Sequence, residues 1–447
     1  MTLSTFVEVA SQKPGVEVAD IYRAHFEEYL EKYACTAQEL RASDAIMRCR
    51  TSEMGGHIWV CDGCGRWRLV WNSCKNRHCP KCGAFEKAQW LARLARILLP
   101  THYHQVVFTT DHAINDLAYI NPQALYDLLI ATASQLLKEF GQRYLGGDIG
   151  FTVALHTWGQ AIQPHIHLHC MVTGGALVKT QEGYEWNATE PTWLFPVKEL
   201  SARFRDAFCA GLRKLYRADK LRLVGSCAHA DIEQMVAKMQ AKEWEVFIQK
   251  PPTQETMTGS LDEVMEQLKD PMCLAEYLGL YVHQSAIANS RLEAFEDGVV
   301  SFWYYDNQDA DDSGRGQRKL MALDALEFIR RYLRHVLPHG YIRIRHFGLH
   351  ASGARPKLQA ARVLLGLPFE LPPKPALVLS EWLQSVLGKA VAKCAFCQQG
   401  AWRKWRKFDP LDRCYLVLVT WLGLAVSGHG DGGEDSKTDM AVQEFFA

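Results

Sequence analysis

Apolar positions change period several times along the chain, and each change predicts a new element. From Val16 to Arg48 they recur at helical spacing, as in IYRAHFEEYLEKY, which predicts one or two helices. A further helix, FEKAQWLARLARILLP, stops at Pro100, and the following YHQVVFTT has the β-branched, aromatic character of a central strand. Asn121 to Phe140 reads as a long amphipathic helix, Val197 to Arg217 as another, and WEVFIQKPP as a strand ended by two prolines. SFWYYD predicts a strand, and LEFIRRYLRHVLPHGYIRIRHFGLHA a basic helix followed by a basic strand. Between the two long helices, LHTWGQAIQPHIHLHCMVTGG reads as a pair of strands. Alternation in the second of them puts His165, His167 and His169 on one face, with Ile166, Leu168 and Cys170 toward the core. Strands interleaved with helices, two of them paired as a hairpin, indicate an α+β fold with a mainly antiparallel sheet flanked by helices.

Three imidazoles in a row are costly on a plain surface and favourable around a cation, because neutral imidazole is a common metal ligand. The competing reading is an edge strand carrying solvated histidines. At 447 residues the chain has room for two or three domains. No signal peptide opens it, and the apolar run Tyr415 to Val426 is too short to span a bilayer, so a cytoplasmic protein away from membranes is expected.

A formal net charge of zero conceals two basic blocks. Cys49 to Arg96 carries nine Lys or Arg against three acids, among them Arg66, Arg68, Lys75, Arg77 and Lys81. Arg315 to Arg362 carries eleven against two, including Arg330, Arg331, Arg343 and Arg345. Both are candidate phosphate-binding faces, and solvated surface is the plain alternative. WRKWRK, from Trp402, alternates aromatic and basic side chains in a way that suits single-stranded DNA or a surface amphipathic segment equally.

Seven of the fourteen cysteines precede residue 83, mostly at ligand spacing. Cys61-x2-Cys64 and Cys79-x2-Cys82 have the form of a four-thiolate structural zinc site. Cys49, His57, Cys74 and His78 offer a second site; alternatively Cys74 is a buried thiol and His78 faces DNA. Cys394-x2-Cys397 reads as half a site with no obvious partner except Cys414.

His156, followed eleven positions later by His167-Leu168-His169, resembles the three-histidine metal site of HUH endonucleases. LHTWGQ with PHIHLHCMVTGG, and SCKNRHCPKC upstream, resemble the transposase family of insertion sequence ninety-one and its amino-terminal zinc-binding domain. The resemblance runs from about Cys49 to Gly366 and implies His156, His167 and His169 as ligands of Mg2+ or Mn2+, with His165 in a supporting place. Within EYLGLYVHQSAIANSRL, Tyr277 and Tyr281 lie one helical turn apart and resemble the family's two-tyrosine nucleophile motif. Gly279 between them clears space, and His283, Asn289 and Arg291 are placed to contact the substrate backbone. Gln284 stands where a basic residue is expected, which puts the local phosphate contact in doubt.

These readings give an amino-terminal helical segment (1–48), a zinc-binding module (49–100), an HUH catalytic domain (101–310), its basic carboxy-terminal part (311–366) and an extension (367–447). The expected function is a rolling-circle transposase that cuts and rejoins single-stranded DNA through 5′-phosphotyrosine, with structural Zn2+ upstream. Expected partners are the hairpin-bearing single-stranded element ends, target DNA and the host replication machinery. The alternatives are a metal-dependent hydrolase using activated water and a zinc-containing DNA-binding regulator.

Overall fold

The computed structural model describes residues 15–249, 279, 285–310, 316–377, 393–394 and 396–409, which divide into two compact units. The smaller holds Arg48–Cys74 and the described residues after Lys389; the larger holds Gly15–Met47 and the described part of Lys75–Gly388. In chain order the elements begin with α1 (Val18–Lys32), α2 (Ala37–Arg48), β1 (Gly56–Cys61), β2 (Trp67–Trp71), α3 (Ala84–Ala95) and β3 (Tyr103–Thr109). There follow α4 (Asn115–Ile120), α5 (Pro122–Leu145), β4 (Gly150–Trp158), β5 (Pro164–Thr173), β6 (Gly175–Lys179) and β7 (Tyr184–Ala188). Next come α6 (Val197–Arg217), α7 (Ile232–Gln240), β8 (Val246–Gln249), β9 (Leu292–Glu296), β10 (Val299–Ala310) and β11 (Gly316–Asp324). The last are α8 (Ala325–Leu333), β12 (Ile344–Gly348), α9 (Arg355–Leu364) and β13 (Trp402–Phe408).

The larger unit is an α+β fold on a five-stranded sheet of order β12-β4-β5-β3-β8, with every neighbouring pair antiparallel. Period-two alternation decides what each face carries. Val106 and Phe108 of β3, Phe151, Val153 and Leu155 of β4, and Ile166, Leu168 and Cys170 of β5 are buried in one core with Leu129, Leu136 and Phe140 of α5 and Phe204, Phe208 and Leu212 of α6. Pro122 opens α5, where its missing N–H costs nothing, and Gly146 ends it in the left-handed conformation at φ 73°. On the opposite face Leu91 and Leu94 of α3 cluster with Tyr103, Ala154 and Met171, leaving the histidine positions of β4 and β5 at one end of that face.

The expected basic strand becomes β12, an edge of this sheet, and SFWYYD becomes β10, the centre of a separate sheet of order β11-β10-β9. The stretch 49–100 is divided at Cys74, because α3 packs on the large sheet and belongs to the larger unit.

In the smaller unit β1 is the centre of a sheet of order β13-β1-β2, with Gly56 opposite both Trp71 and Phe408 and Cys61 opposite Trp402. Its core is small: Ile58 and Phe408 are buried, with Val60, Trp67, Leu69 and Trp71 packed around them. Among the described residues no helix is long and apolar enough to cross a membrane.

Candidate active site: a three-histidine centre

Register brings the site together. His156 on β4 is directly opposite His167 on β5, and Ala154 is opposite His169, so the three imidazoles occupy adjacent positions on one face. Their ligand nitrogens all lie within 4.8 Å of one another. Ring centroids are 5.3 Å apart for His156 and His167, 4.5 Å for His156 and His169, and 4.9 Å for His167 and His169. Trp158 stacks on the His156 ring at 4.9 Å and an interplanar angle of 14°, which limits its rotation.

Hydrogen bonds fix which nitrogen of each ring faces the centre. His167 Nδ1 lies 2.9 Å from the His165 carbonyl oxygen and must donate to it, so in the neutral ring Nε2 carries the lone pair. That Nε2 lies 3.1 Å from His169 Nε2. His169 Nδ1 is 2.6 Å from the Gln105 side-chain amide nitrogen, while Gln105 Oε1 is buried without a hydrogen-bond partner among the described residues. Turning that amide about its axis presents Oε1 to a proton on His169 Nδ1, which leaves both facing Nε2 atoms as acceptors for a cation. Burial pushes the His169 imidazolium down to about 4 and holds that of His167 well below the usual range, so both are neutral at physiological pH. A set of three imidazole nitrogens fits a divalent cation. His165 turns away, its Nδ1 3.1 Å from His112 Nε2.

The turn joining β4 to β5 is clamped. Ile162 is held at φ 58°, a left-handed conformation that strains a β-branched residue. Three successive carbonyls of this turn are taken up by side chains: Gln160 by Arg291, Ala161 by Arg331 at 3.2 Å, and Ile162 by His335 Nε2 at 2.9 Å. Arg291 also donates to the Trp303 carbonyl at 2.8 Å, and Asn289 Oδ1 accepts from the Val18 N–H at 3.2 Å.

Most of the other expected phosphate contacts likewise have partners within the fold. Arg77 donates to the Tyr341 carbonyl and Lys81 pairs with Glu17. Arg330 pairs with Glu327 and Arg345 with Asp127, while burial pushes Arg343, 5.7 Å from the Trp158 ring, down to about 10. Arg66 lies over Phe396 at 4.5 Å and Arg68 over Trp402 at 4.4 Å; Lys75 is exposed. Sequence reasoning missed Gln105 and the clamp. The available signal for Gln105 was an amide in a central strand, two positions from Val107, which is directly opposite His169.

Tyr277, Tyr281, His283 and Gln284 lie outside the described residues. Gly279 is buried, and a side chain there would meet Leu91 Cδ2 at 2.7 Å. The space it leaves is therefore filled by Leu91, which clusters with Ala154 and Met171 on the histidine-bearing face.

The thiolate grouping differs from the expectation. Cys61 and Cys64 meet Cys394 and Cys397, not Cys79 and Cys82: the four sulfurs lie within 4.8 Å of one another. β13 aligns beside β1 and brings the distant pair with it. Cys49 and Cys74 adjoin, the Cys74 N–H pointing at Cys49 Sγ at 3.4 Å. His57 and His78 join no group of ligands among the described residues. His57 sits on β1 opposite Val70 and Lys407, and His78 is buried, its Nε2 accepting from the Leu337 N–H at 3.3 Å. That burial also excludes the DNA-facing alternative for His78.

Comparison with known proteins supplies the family. Residues 150–357 match the family described as Putative transposase, and residues 21–110 match the Transposase zinc-binding domain. The chain is 36% identical over 417 residues to the Putative transposase y4qJ of Sinorhizobium fredii, covering 90% of this chain and 99% of that protein. It is 23% identical over 367 residues to the Transposase for insertion sequence element IS801 of Pseudomonas savastanoi pv. phaseolicola, covering 80% and 82%. No solved structure matches the chain. Matched along nearly the whole of a transposase, and carrying this zinc-binding domain ahead of the transposase region, the chain belongs to the transposase family of insertion sequence ninety-one.

Proposed function

We propose that this transposase cuts and rejoins single-stranded DNA by transesterification to tyrosine. The observation that carries the reading is the convergence of His156, His167 and His169 on one sheet face, with the facing nitrogens of the last two 3.1 Å apart. A divalent cation held by these three would offset charge on the non-bridging oxygens of the scissile phosphate. Tyr277 or Tyr281 supplies the nucleophile. Its oxygen forms a bond to phosphorus, the bond from phosphorus to O3′ breaks, and the phenolic proton leaves as the 3′-hydroxyl is formed. The product is a 5′-phosphotyrosine that retains the ester energy, so rejoining needs no nucleoside triphosphate. The second tyrosine allows a second cleavage while the first strand remains attached.

Gly279, between the two tyrosines in the sequence, supports this reading because it packs on Leu91 of the α3 cluster on the histidine-bearing face of the sheet. Single-stranded element ends, hairpin-bearing in the reading from sequence, and target DNA are the proposed substrates, with host replication factors as partners and the cytoplasm as the compartment. The zinc-binding domain matched at residues 21–110 is proposed to hold structural zinc on cysteines of that stretch.

The test is incubation of the full chain with single-stranded DNA carrying an element end, resolved on a denaturing gel. The wild type is expected to form a covalent adduct. The double variant Tyr277→Phe/Tyr281→Phe is expected to bind the same DNA and form none. Continued cutting by that variant, with free 5′-phosphate or 5′-hydroxyl ends, would instead establish water as the nucleophile.

A further inference from the structure

We infer that Cys61, Cys64, Cys394 and Cys397 hold one zinc ion, which joins the amino-terminal block to a carboxy-terminal segment outside both matched regions. Those regions are 21–110 and 150–357, so neither contains the second cysteine pair.

Distance sets the coordination. Cys61 Sγ lies 3.6 Å from Cys397 Sγ, and Cys64 Sγ lies 3.8 Å from Cys394 Sγ. A tetrahedron with Zn–S bonds of about 2.3 Å has sulfurs roughly 3.8 Å apart. Disulfides, at about 2.05 Å, do not fit.

The backbone around the sulfurs is built alike on both sides. The Gly65 N–H donates to the Cys61 carbonyl at 3.0 Å, and the Gln398 N–H donates to the Cys394 carbonyl at 2.9 Å. Gly65 and Gln398, each directly after the second cysteine of its pair, are both left-handed at φ 72° and 59°. The Gly63 N–H points at Cys61 Sγ at 3.4 Å, and the Gly400 N–H at Cys397 Sγ at 3.3 Å, as suits anionic sulfur. Gly63 and Gly400 meet backbone to backbone. A Cβ on Gly400 would stand 2.4 Å from Cys61 Sγ, and one on Gly63 would stand 2.8 Å from the Gly400 Cα. Each cysteine pair then leads into a strand bordering β1, β2 on one side and β13 on the other.

The small core of this unit gives the ion a structural task. Folding must close a loop of more than three hundred residues to pair β13 with β1, and bound metal offsets that entropy. The zinc-bound ribbon therefore forms only after the carboxy-terminal pair has been synthesised.

Metal analysis of the full chain after removal of loosely bound ions tests this. Cys394→Ser/Cys397→Ser and Cys61→Ser/Cys64→Ser are each expected to lose the same single zinc per chain, and the quadruple variant to lose no more. Full zinc retention in Cys394→Ser/Cys397→Ser, additive losses, or iron in place of zinc would overturn the assignment. The unaltered chain gives an independent reading through thiol alkylation mapped by peptide during slow chelation. The four cysteines are expected to become reactive together; labelling of Cys394 and Cys397 in the metal-loaded protein while Cys61 and Cys64 stay protected would overturn it.

Discussion

Replacing His167 or His169 by Ala should abolish DNA cleavage with little change in melting temperature, because two imidazoles hold a cation poorly while the strand's core face, Ile166, Leu168 and Cys170, is untouched. His165→Ala should cost much less, since that ring turns to His112. Gln105→Leu separates orientation from ligation. Losing the amide that sets the His169 tautomer should weaken cation affinity about 10- to 100-fold, and cleavage should recover at raised Mn2+. A Gln105→Leu enzyme with unchanged metal dependence would remove that role. Nitrogen donors also suit Mg2+ poorly, since it prefers oxygen ligands. Mn2+ should therefore support cleavage at lower concentration. His165, His167 and His169 were legible as one face from period-two alternation alone. Which ring nitrogen faces the centre was not, because that depends on Gln105 and the His165 carbonyl, a neighbouring strand and a backbone atom.

At the scale of elements, β13 is the unexpected one. Arg403 to Lys407 are all exposed on an edge strand, where charge commonly serves to prevent edge-to-edge pairing. Trp405, 45% exposed, adds an aromatic face that this protective role does not need. Trp405→Ala should lower affinity for single-stranded DNA by about tenfold, in line with a stacking contribution of about 1–3 kcal/mol. Arg406→Ala should reduce the salt dependence of binding by about 0.7 in the log–log slope. Both should retain full zinc content. Unchanged affinity and slope would leave β13 with the edge-protecting role alone. By contrast, Arg291, Arg331 and Arg345 read as phosphate contacts in sequence and are engaged by Gln160, Ala161 and Asp127 in the fold. A basic block shows that cations are present, and only the tertiary structure shows which of them already have partners.

At the scale of the whole molecule, the larger unit buries imidazoles that are stable only when neutral. His350 Nε2 accepts from the Tyr103 hydroxyl at 3.3 Å while its Nδ1 donates to Thr152 at 3.1 Å. His335 donates to the Ile162 carbonyl and accepts from Thr157, and His78 accepts from the Leu337 N–H. Burial pushes His78 and His350 down to about 3 and His335 to about 4. Unfolded histidine takes up its proton near pH 6.5, so between there and about pH 4 the unfolded chain binds protons that the fold refuses. Their contribution is therefore complete above pH 6.5 and is lost at about 1.4 kcal/mol per pH unit for each group as pH falls. Melting temperature should drop steadily from pH 6.5 to 4, with a shallower slope in His350→Gln; equal slopes would exclude that histidine. Local pattern in the sequence by itself determined the α+β class, the histidine face and the presence of paired thiolates, because strand alternation and ligand spacing are short-range properties. Only the tertiary structure decided that Cys61 and Cys64 meet Cys394 and Cys397, that Leu91 fills the space at Gly279, and that the turn between the histidine strands is held by Arg291, Arg331 and His335. Each of these joins residues far apart in the chain, and the partner in such a contact is set by how strands and helices pack rather than by anything encoded near either residue.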